Sequence, residues 1–253
     1  MAVALATVTV AGITLISAQS QSKPNRMPLR GVTIPARSTH TATLFFLHGL
    51  GDSGSGWAQT GRMMQPALPH VKMVFPDAPS RPVTLNLGMT MPAWFDIYEL
   101  GAAAGNNSRT DDQGMNETLR SIAGWIKDEI ASGIPAHRIV LGGFSQGSAM
   151  SLLHAVTTDQ KLAGFIALSG WLPQATALQS SSEVNKDTPI FLGHGDQDEV
   201  VPWKFGEQTY KAFKDAGWKV EMKTYEGMGH SAGADEFEDI LAFLLKTIPP
   251  ASS

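Results

Sequence analysis

The sequence predicts a single α/β domain, with a mostly parallel central sheet and helices on both faces of that sheet. From residue 43 onward, short β-branched or aromatic runs alternate with longer segments of helical period. Most of the short runs are apolar throughout, as expected of parallel strands that are buried on both faces. The chain has 253 residues, of which 43% are hydrophobic, and this length can bury one large core.

The predicted elements follow one another in regular order. Six runs are predicted strands: TLFFL at 43–47, KMVFP at 72–76, RIVLG at 138–142, GFIALS at 164–169, PIFLG at 189–193 and VEMKTY at 220–225. Five segments between or after them have helical period, near residues 57–66, 115–132, 146–157, 203–216 and 234–246. We therefore expect one domain at residues 43–250.

Residues 1–42 are predicted to form an N-terminal extension, with one strand around GVTIP. Residues 2–18 are apolar and uncharged, but no basic stretch precedes them as it would in a secretory signal. Thr residues interrupt this run, which is shorter than the roughly 20 residues that a membrane span needs. The pattern favours an ordinary extension or an extra strand over a targeting segment.

Composition excludes several kinds of partner and chemistry. The net charge is −4 and no basic block stands out, so nucleic acid is not an expected partner. The absence of cysteine excludes disulfides, thiolate metal sites and S-palmitoylation of this chain. No HExxH, EF-hand or P-loop pattern is present, and we expect neither a metal nor an organic cofactor.

The loop HGLGDSG, which follows the first predicted strand, admits two interpretations. Its glycines Gly49, Gly51 and Gly54 satisfy the G-x-G-x-x-G pattern of dinucleotide-binding proteins. Asp77 ends the next strand, about where a ribose-binding acid would lie. A Rossmann oxidoreductase is therefore one hypothesis for this chain.

The second informative loop is GFSQG, which lies between the predicted strand RIVLG and a predicted helix. In this context G-x-S-x-G is typical of a nucleophile elbow, a turn so tight that small residues must flank the serine. Gly143 and Gly147 would permit that turn and expose Ser145 above the sheet. The start of the helix directs backbone N–H groups toward the same point.

A serine hydroxyl needs a base and an acid, and these follow Ser145 in the order typical of hydrolases. The loop HGDQDEVVP offers Asp196 and Asp198, and the loop EGMGHS offers His230. Spacing alone does not choose between the two aspartates; the other one is expected to hydrogen-bond within its own loop. His48 and His194 occupy H-G steps at strand ends, where a structural hydrogen bond is expected.

An acyl-transfer enzyme also needs two N–H donors for the developing oxyanion. The backbone N–H groups of Gln146, after the nucleophile, and of Leu50, in HGLG, are the predicted donors. In this interpretation the HGLG glycines allow a close approach of the backbone. The Rossmann hypothesis leaves GFSQG, HGDQD and GMGH unexplained, so the sequence favours a serine hydrolase.

The segments FFLHGLGDSGSGW, FPDAPSRPVT, MPAWFDI, GIPAHRIVLGGFSQGSAMSL, KLAGFIALSGWLP, HGDQDEVVP and KTYEGMGHS occur in one order from residue 43 to 250. In these segments the chain resembles the acyl-protein thioesterase branch of the phospholipase/carboxylesterase family. The resemblance implies the α/β-hydrolase fold, Ser145 as nucleophile, His230 as base and Asp198 as acid. Ser55 and Ser148 depart from the family pattern, where a histidine and a second glycine are common.

The resemblance also implies substrates and partners. Members of the family hydrolyse fatty acyl thioesters on protein cysteines, small carboxylic esters and lysophospholipids, so S-acylated proteins or small acyl esters are the expected substrates. A short-chain carboxylesterase or protein deacetylase shares every catalytic residue and stays open as an alternative. A ligand receptor on a hydrolase fold is a further alternative, against which the complete set of catalytic residues argues.

An acyl chain needs an apolar groove beside the serine, and two segments could form its walls. The candidates are Leu85, Leu87, Met89, Met91, Trp94, Trp171 and Leu172. The first five fall in a predicted loop or short hairpin, which could equally cover the sheet edge. Charging Leu87 is expected to lower long-chain hydrolysis more than acetyl ester hydrolysis.

We expect a cytoplasmic protein with at most transient contact with a membrane surface. The N-terminus lacks the cysteine whose lipidation tethers some relatives to membranes. Two sequons, which begin at Asn106 and Asn116, would carry glycans only if the chain were secreted.

Overall fold

The structure is a computed structural model that describes residues 9–10, 13–14, 26–98, 110–173, 178 and 181–251. Its strands are β1 Thr9–Val10, β2 Ile13–Thr14, β3 Gly31–Ile34, β4 Ala42–Leu47, β5 Val71–Pro76, β6 Ser80–Val83, β7 Met89–Pro92, β8 Ile139–Phe144, β9 Gly164–Leu168, β10 Ile190–Gly195 and β11 Val220–Tyr225. Its helices are α1 Gly54–Met64, α2 Asp112–Ala131, α3 Gln146–Thr157, α4 Trp203–Asp215 and α5 Ala234–Thr247. The predicted strands and helices from residue 43 onward are all present, with ends shifted by no more than three residues.

Within the described part of the chain, seven strands form the central sheet, in the order β11-β10-β9-β8-β4-β5-β3. All neighbouring pairs are parallel except β3 and β5, which are antiparallel. Helices lie on both faces, as the sequence predicts. The carboxyl ends of β4, β8, β10 and β11 meet at one edge of the sheet, where open α/β sheets bind their ligands.

Part of the predicted N-terminal extension belongs to this sheet. The residues GVTI form β3, whose Val32 pairs with Phe75 and whose Ile34 pairs with Met73 of β5. The sheet therefore includes residues that precede position 43. Most of residues 2–18, whose role the sequence left between extension and targeting, lie outside the described residues.

The core has one layer on each face of the sheet. Along β4, Phe45 and Leu47 pack with buried side chains of α2, α3 and α4. Leu44 and Phe46 point to the other face and pack with buried residues of α1 and α5. This alternation explains why β4 is apolar at every position except Thr43, whose hydroxyl donates to Glu129.

A separate hairpin of β6 and β7 projects beside the carboxyl edge of the sheet. Asp111, the N-cap of α2, accepts the N–H groups of Gly114 and Asp96 and pairs with Arg81 of β6 at 3.6 Å. These contacts attach the base of the hairpin to α2. Among the described residues, no helix is both long enough and apolar enough to cross a membrane.

Candidate active site

Ser145 lies in a strained turn between β8 and α3. Its φ of 53° and ψ of −116° place it in a backbone conformation that residues other than glycine rarely adopt. A Cβ on Gly143 would lie 2.4 Å from the carbonyl carbon of Gly147, and a Cβ on Gly147 would lie 2.2 Å from the carbonyl oxygen of Leu47. Both flanking positions therefore require glycine, for the steric reason that the sequence pattern indicates.

The structure brings Ser145, His230 and Asp198 together from three separate loops. His230 Nε2 lies 3.0 Å from Ser145 Oγ, and His230 Nδ1 lies 2.7 Å from Asp198 Oδ2. The two hydrogen bonds form a continuous chain from the carboxylate of Asp198 to the hydroxyl of Ser145. In this geometry the imidazole can take a proton from Ser145 while Nδ1–H donates to Asp198.

The side chain of Asp198 is fully buried and held as an anion by its donors. Oδ1 accepts the backbone N–H groups of Val200 at 2.9 Å and Val201 at 2.8 Å. Burial by itself would raise the pKa of Asp198, but His194 Nε2 at 3.4 Å and the hydrogen bonds from His230 and the Val201 N–H outweigh it. The pKa is therefore held well below its usual range.

Asp196 makes a different hydrogen bond from the one the sequence predicts. It is exposed, and its Oδ1 accepts the N–H of Gly227 at 2.8 Å, in the loop that carries His230. We expected a hydrogen bond within the loop of Asp196 itself; the bond instead joins the two neighbouring loops. The reason is the parallel pairing of β10 with β11, which brings the two loop starts side by side.

The two H-G histidines make structural hydrogen bonds, as the sequence predicts. His48 is buried; its Nδ1 lies 2.6 Å from the carbonyl oxygen of Gly49, and its Nε2 accepts the N–H of Ala78. Because Nε2 accepts a hydrogen bond, the ring proton lies on Nδ1, and burial lowers the pKa of His48. His194 Nε2 bonds to the carbonyl oxygen of Val201 at 2.8 Å.

The two expected oxyanion donors belong to the two loops beside the nucleophile. Gln146 is the first residue of α3, where backbone N–H groups have no acceptor within the helix. Leu50 lines the same cleft as Ser145, and its N–H has no acceptor among the residues that the structure describes. Asp77, the candidate ribose ligand, instead accepts the N–H of Gly54 at the start of α1.

A cleft of about 270 Å³ opens beside Ser145 and His230. Its floor and walls are largely apolar, with a smaller polar part at the HGLG loop and the hairpin. The other lining residues are Gly49, Leu50, Asp52, Leu85, Asn86, Ile97, Phe144, Trp171, Val200 and Val201.

Of the seven predicted groove residues, Leu85 and Trp171 line this cleft. Leu87 does not, because it ends the hairpin turn in a left-handed conformation and is 95% exposed. Met89 is also exposed, on the neighbouring strand of the hairpin. The expectation that charging Leu87 would affect the groove therefore has no support in its position.

The remaining three candidates are not among the residues that line the cleft. Trp94 is fully buried in the core, where its indole N–H donates to the carbonyl oxygen of His48. Leu172 is buried, and its N–H donates to Thr209 Oγ1. The sulfur of Met91 accepts a hydrogen bond from Asn86, which itself lines the cleft.

Sequence reasoning missed several residues that form the site. Ile97, Val200 and Val201 line the cleft, and the Phe144 ring lies 4.8 Å from that of His230. Proximity to the motifs could have identified Phe144 and the two valines. Ile97 has no such signal, because a hydrogen bond from the Leu85 N–H to its carbonyl brings it to the cleft.

The fold and the arrangement of serine, histidine and aspartate are those of the α/β hydrolases, and the protein is a serine hydrolase. Among the described residues, no group of three or more His, Asp or Glu side chains could hold a metal ion. The chain belongs to the phospholipase/carboxylesterase family, whose model matches residues 30–248.

Curated relatives carry the name acyl-protein thioesterase 1. The protein from Cryptococcus neoformans is 44% identical over 234 residues, which cover 87% of this chain and 98% of the relative. The protein from Neurospora crassa is 45% identical over 222 residues, which cover 85% of this chain and 91% of the relative. Each alignment spans most of this chain and most of the relative.

Solved structures agree with these relatives. The structure of Zea mays acyl-protein thioesterase 2 has a TM-score of 0.77 at 31% identity, covering 87% of this chain and 100% of the other. Arabidopsis thaliana SOBER1 has a TM-score of 0.77 at 32% identity, covering 82% of this chain and 99% of the other. The likeness therefore extends over more than four fifths of this chain.

Proposed function

We propose that this serine hydrolase is an acyl-protein thioesterase, which removes fatty acyl groups from protein cysteines and also hydrolyses carboxylic esters. The observation that carries the proposal is the chain of hydrogen bonds from Asp198 through His230 to Ser145, at the base of a mostly apolar cleft. The curated relatives named acyl-protein thioesterase 1 support this substrate class over other esters.

Acylation of the enzyme is the first half of the proposed reaction. His230 Nε2 accepts the proton of Ser145 Oγ as that oxygen attacks the acyl carbonyl carbon. The N–H groups of Leu50 and Gln146 stabilise the oxyanion that forms on the carbonyl oxygen. The intermediate then expels the cysteine sulfur, which leaves as a thiol with the proton from His230.

Hydrolysis of the acyl-enzyme completes the cycle. A water molecule gives its proton to His230 Nε2 and attacks the same carbonyl carbon, and the oxyanion forms again between the two backbone donors. Collapse of this intermediate releases the fatty acid and returns the proton to Ser145. Asp198 stays ionised throughout and stabilises the imidazolium, in keeping with its lowered pKa.

The apolar part of the cleft suits the acyl chain. We propose that Leu85, Ile97, Trp171, Val200 and Val201 contact the chain, since they line the cleft next to Ser145. Burial of methylene groups against such side chains contributes about 0.8 kcal/mol for each group. Binding should therefore strengthen with chain length until the cleft is filled.

The proposed partners are S-acylated proteins, and the proposed location is the cytoplasm. Asn116 of the second sequon is exposed on α2, whereas the hydroxyl of Thr118 is buried and donates to the carbonyl oxygen of Trp94. A glycan on Asn116 of the protein isolated from its natural source would contradict the cytoplasmic location. The sequon at Asn106 lies outside the described residues.

The test is the hydrolysis rate against acyl-chain length, from acetyl to palmitoyl, with matched thioesters and oxygen esters. Ser145→Ala is the control for turnover that depends on the nucleophile. A kcat/KM that rises toward long-chain thioesters and vanishes in the control supports a protein thioesterase. A maximum at acetyl or butyryl would favour the short-chain esterase or deacetylase, and loss of all serine-dependent turnover would favour a receptor.

A further inference from the structure

Four aromatic rings form a row that ends on the imidazole of His230. Phe46 of β4 lies 4.6 Å from Trp57 of α1, and Trp57 lies 5.2 Å from Phe144 at the end of β8. Phe144 lies 4.8 Å from His230, with an angle of 46° between the ring planes. Phe46 is fixed in the core, where it also meets Phe75 at 6.4 Å.

The hydrogen bonds of His230 leave one motion of its ring uncontrolled. Nδ1 bonds to Asp198 and Nε2 to Ser145, so both bonds lie in the ring plane on opposite sides of the imidazole. They fix the position of the ring but resist tilting about the line between the two partners only weakly. A ring packed beside the imidazole resists that tilt, and the Phe144 ring lies 4.8 Å from the His230 ring at an angle of 46°.

Phe144 directly precedes Ser145 and ends β8. The turn that sets the direction of Ser145 Oγ therefore also sets the position of the Phe144 ring. The electron-rich face of an aromatic ring also attracts a cation close to it. At 4.8 Å from the Phe144 ring, the imidazolium that forms when Ser145 loses its proton lies within the range of this attraction.

We propose that Phe144 and Trp57 are positioning residues: Phe144 orients the imidazole of His230, and Trp57 holds Phe144 in place. This inference rests on the proposed roles of Ser145 and His230. Phe144 also lines the cleft, so its substitution changes substrate contacts as well. Trp57 is not among the lining residues and contacts Phe46 and Phe144, which makes Trp57 the sharper probe.

The experiment compares Trp57→Leu, which removes the ring, with Trp57→Phe, which keeps one. Met63→Leu, an exposed substitution on the same helix, is the matched control. For an acetyl ester we expect Trp57→Leu to lower kcat by about 10-fold with KM within about 2-fold of the wild type. Trp57→Phe should recover most of the loss, and Met63→Leu should show none.

A second readout reports on the imidazole itself. The His230 Nδ1 proton, bonded to Asp198, should give a low-field proton NMR signal that is absent from His230→Gln. We expect this signal to broaden in Trp57→Leu and to return in Trp57→Phe. If Trp57→Leu does not fold, Phe144→Leu serves instead, read by kcat and by the same signal.

The outcomes separate this inference from the proposed function. Unchanged kcat and an unchanged proton signal in a folded Trp57→Leu would overturn the positioning role, whatever substrate the enzyme prefers. A lowered melting temperature with normal kcat would also overturn it, because Trp57 would then act on stability alone. Turnover that persists in Ser145→Ala would instead reject the proposed function.

Discussion

The carboxamide of Gln146 connects the residue after the nucleophile to the chain that leaves the hairpin: its Oε1 accepts the N–H of Trp94 at 2.8 Å. Its Nε2 donates to the carbonyl oxygen of Phe95 at 2.7 Å. Gln146 is fully buried, so one side chain satisfies two backbone groups that have no access to water. The turn at Ser145 is thereby held against the segment that follows the hairpin.

Replacing Gln146 with alanine should destabilise the protein markedly. The backbone groups of Trp94 and Phe95 would both lose their partner inside the core, at a cost of about 2–4 kcal/mol in the free energy of unfolding. Denaturation by urea measures the difference. Gln113→Ala, at an exposed site on α2, is the control and should change stability by less than about 0.5 kcal/mol. Equal stabilities for the two variants would contradict this role of Gln146.

The two aspartates of HGDQD should differ sharply when each is replaced by asparagine. Asp198→Asn removes the anion that orients His230 and stabilises its protonated form, and kcat should fall by about 10⁴-fold. Asp196→Asn changes an exposed bond to Gly227 and should lower kcat by less than about 5-fold. Steady-state kinetics on an acetyl ester compare the two. A larger loss for Asp196→Asn would reverse the assignment of the acid.

Leu85 and Leu87 form a matched pair on one hairpin, one in the cleft and one outside it. Leu85→Asp places a charge against the proposed acyl chain and should lower kcat/KM for a palmitoyl thioester by about 10–100-fold. The loss for an acetyl ester should stay below about 3-fold, because a short chain does not reach the side chain. Leu87→Asp, at a 95% exposed position, should leave both rates within about 2-fold for a monomeric substrate. Equal effects of the two variants would contradict the assignment of the groove to Leu85.

Glu236 should make the stability of the protein fall as pH rises from about 5 to about 8. It is fully buried in the first turn of α5, and neither carboxyl oxygen has a hydrogen-bond partner among the described residues. Burial raises its pKa from 4.5 to about 8, and the nearby Asp239 adds to the rise. The folded state therefore favours the protonated acid. The contribution of Glu236 to stability is full below its unfolded pKa and is lost as pH rises through about 8.

Glu236→Gln cannot ionise, so this loss should disappear. As pH rises from about 5 to about 9, the free energy of unfolding of Glu236→Gln should increase by roughly 2–5 kcal/mol relative to that of the wild type. Glu238→Gln, an exposed change on the same helix, should show no such trend. Parallel pH curves for Glu236→Gln and the wild type would show that Glu236 is not protonated in the folded protein.

Local sequence patterns determine most of this fold. Strands such as β4 are apolar at almost every position because helices cover both faces, and a glycine on each side of Ser145 is needed because a Cβ there would meet backbone atoms. The chain order of Ser145, a loop aspartate and His230 then sufficed to predict the chemistry, since the carboxyl ends of parallel strands share one edge.

Tertiary structure decided which side chains meet across that edge. Spacing left Asp196 and Asp198 equivalent, and only the fold buries Asp198 against His230 while it turns Asp196 toward Gly227. The apolar residues of the hairpin look alike in sequence, yet its turn exposes Leu87, its return strand leads to Trp94 in the core, and only Leu85 of the five lines the cleft. Periodicity identifies which residues are apolar, whereas the direction of each side chain depends on backbone geometry and on partners distant in sequence.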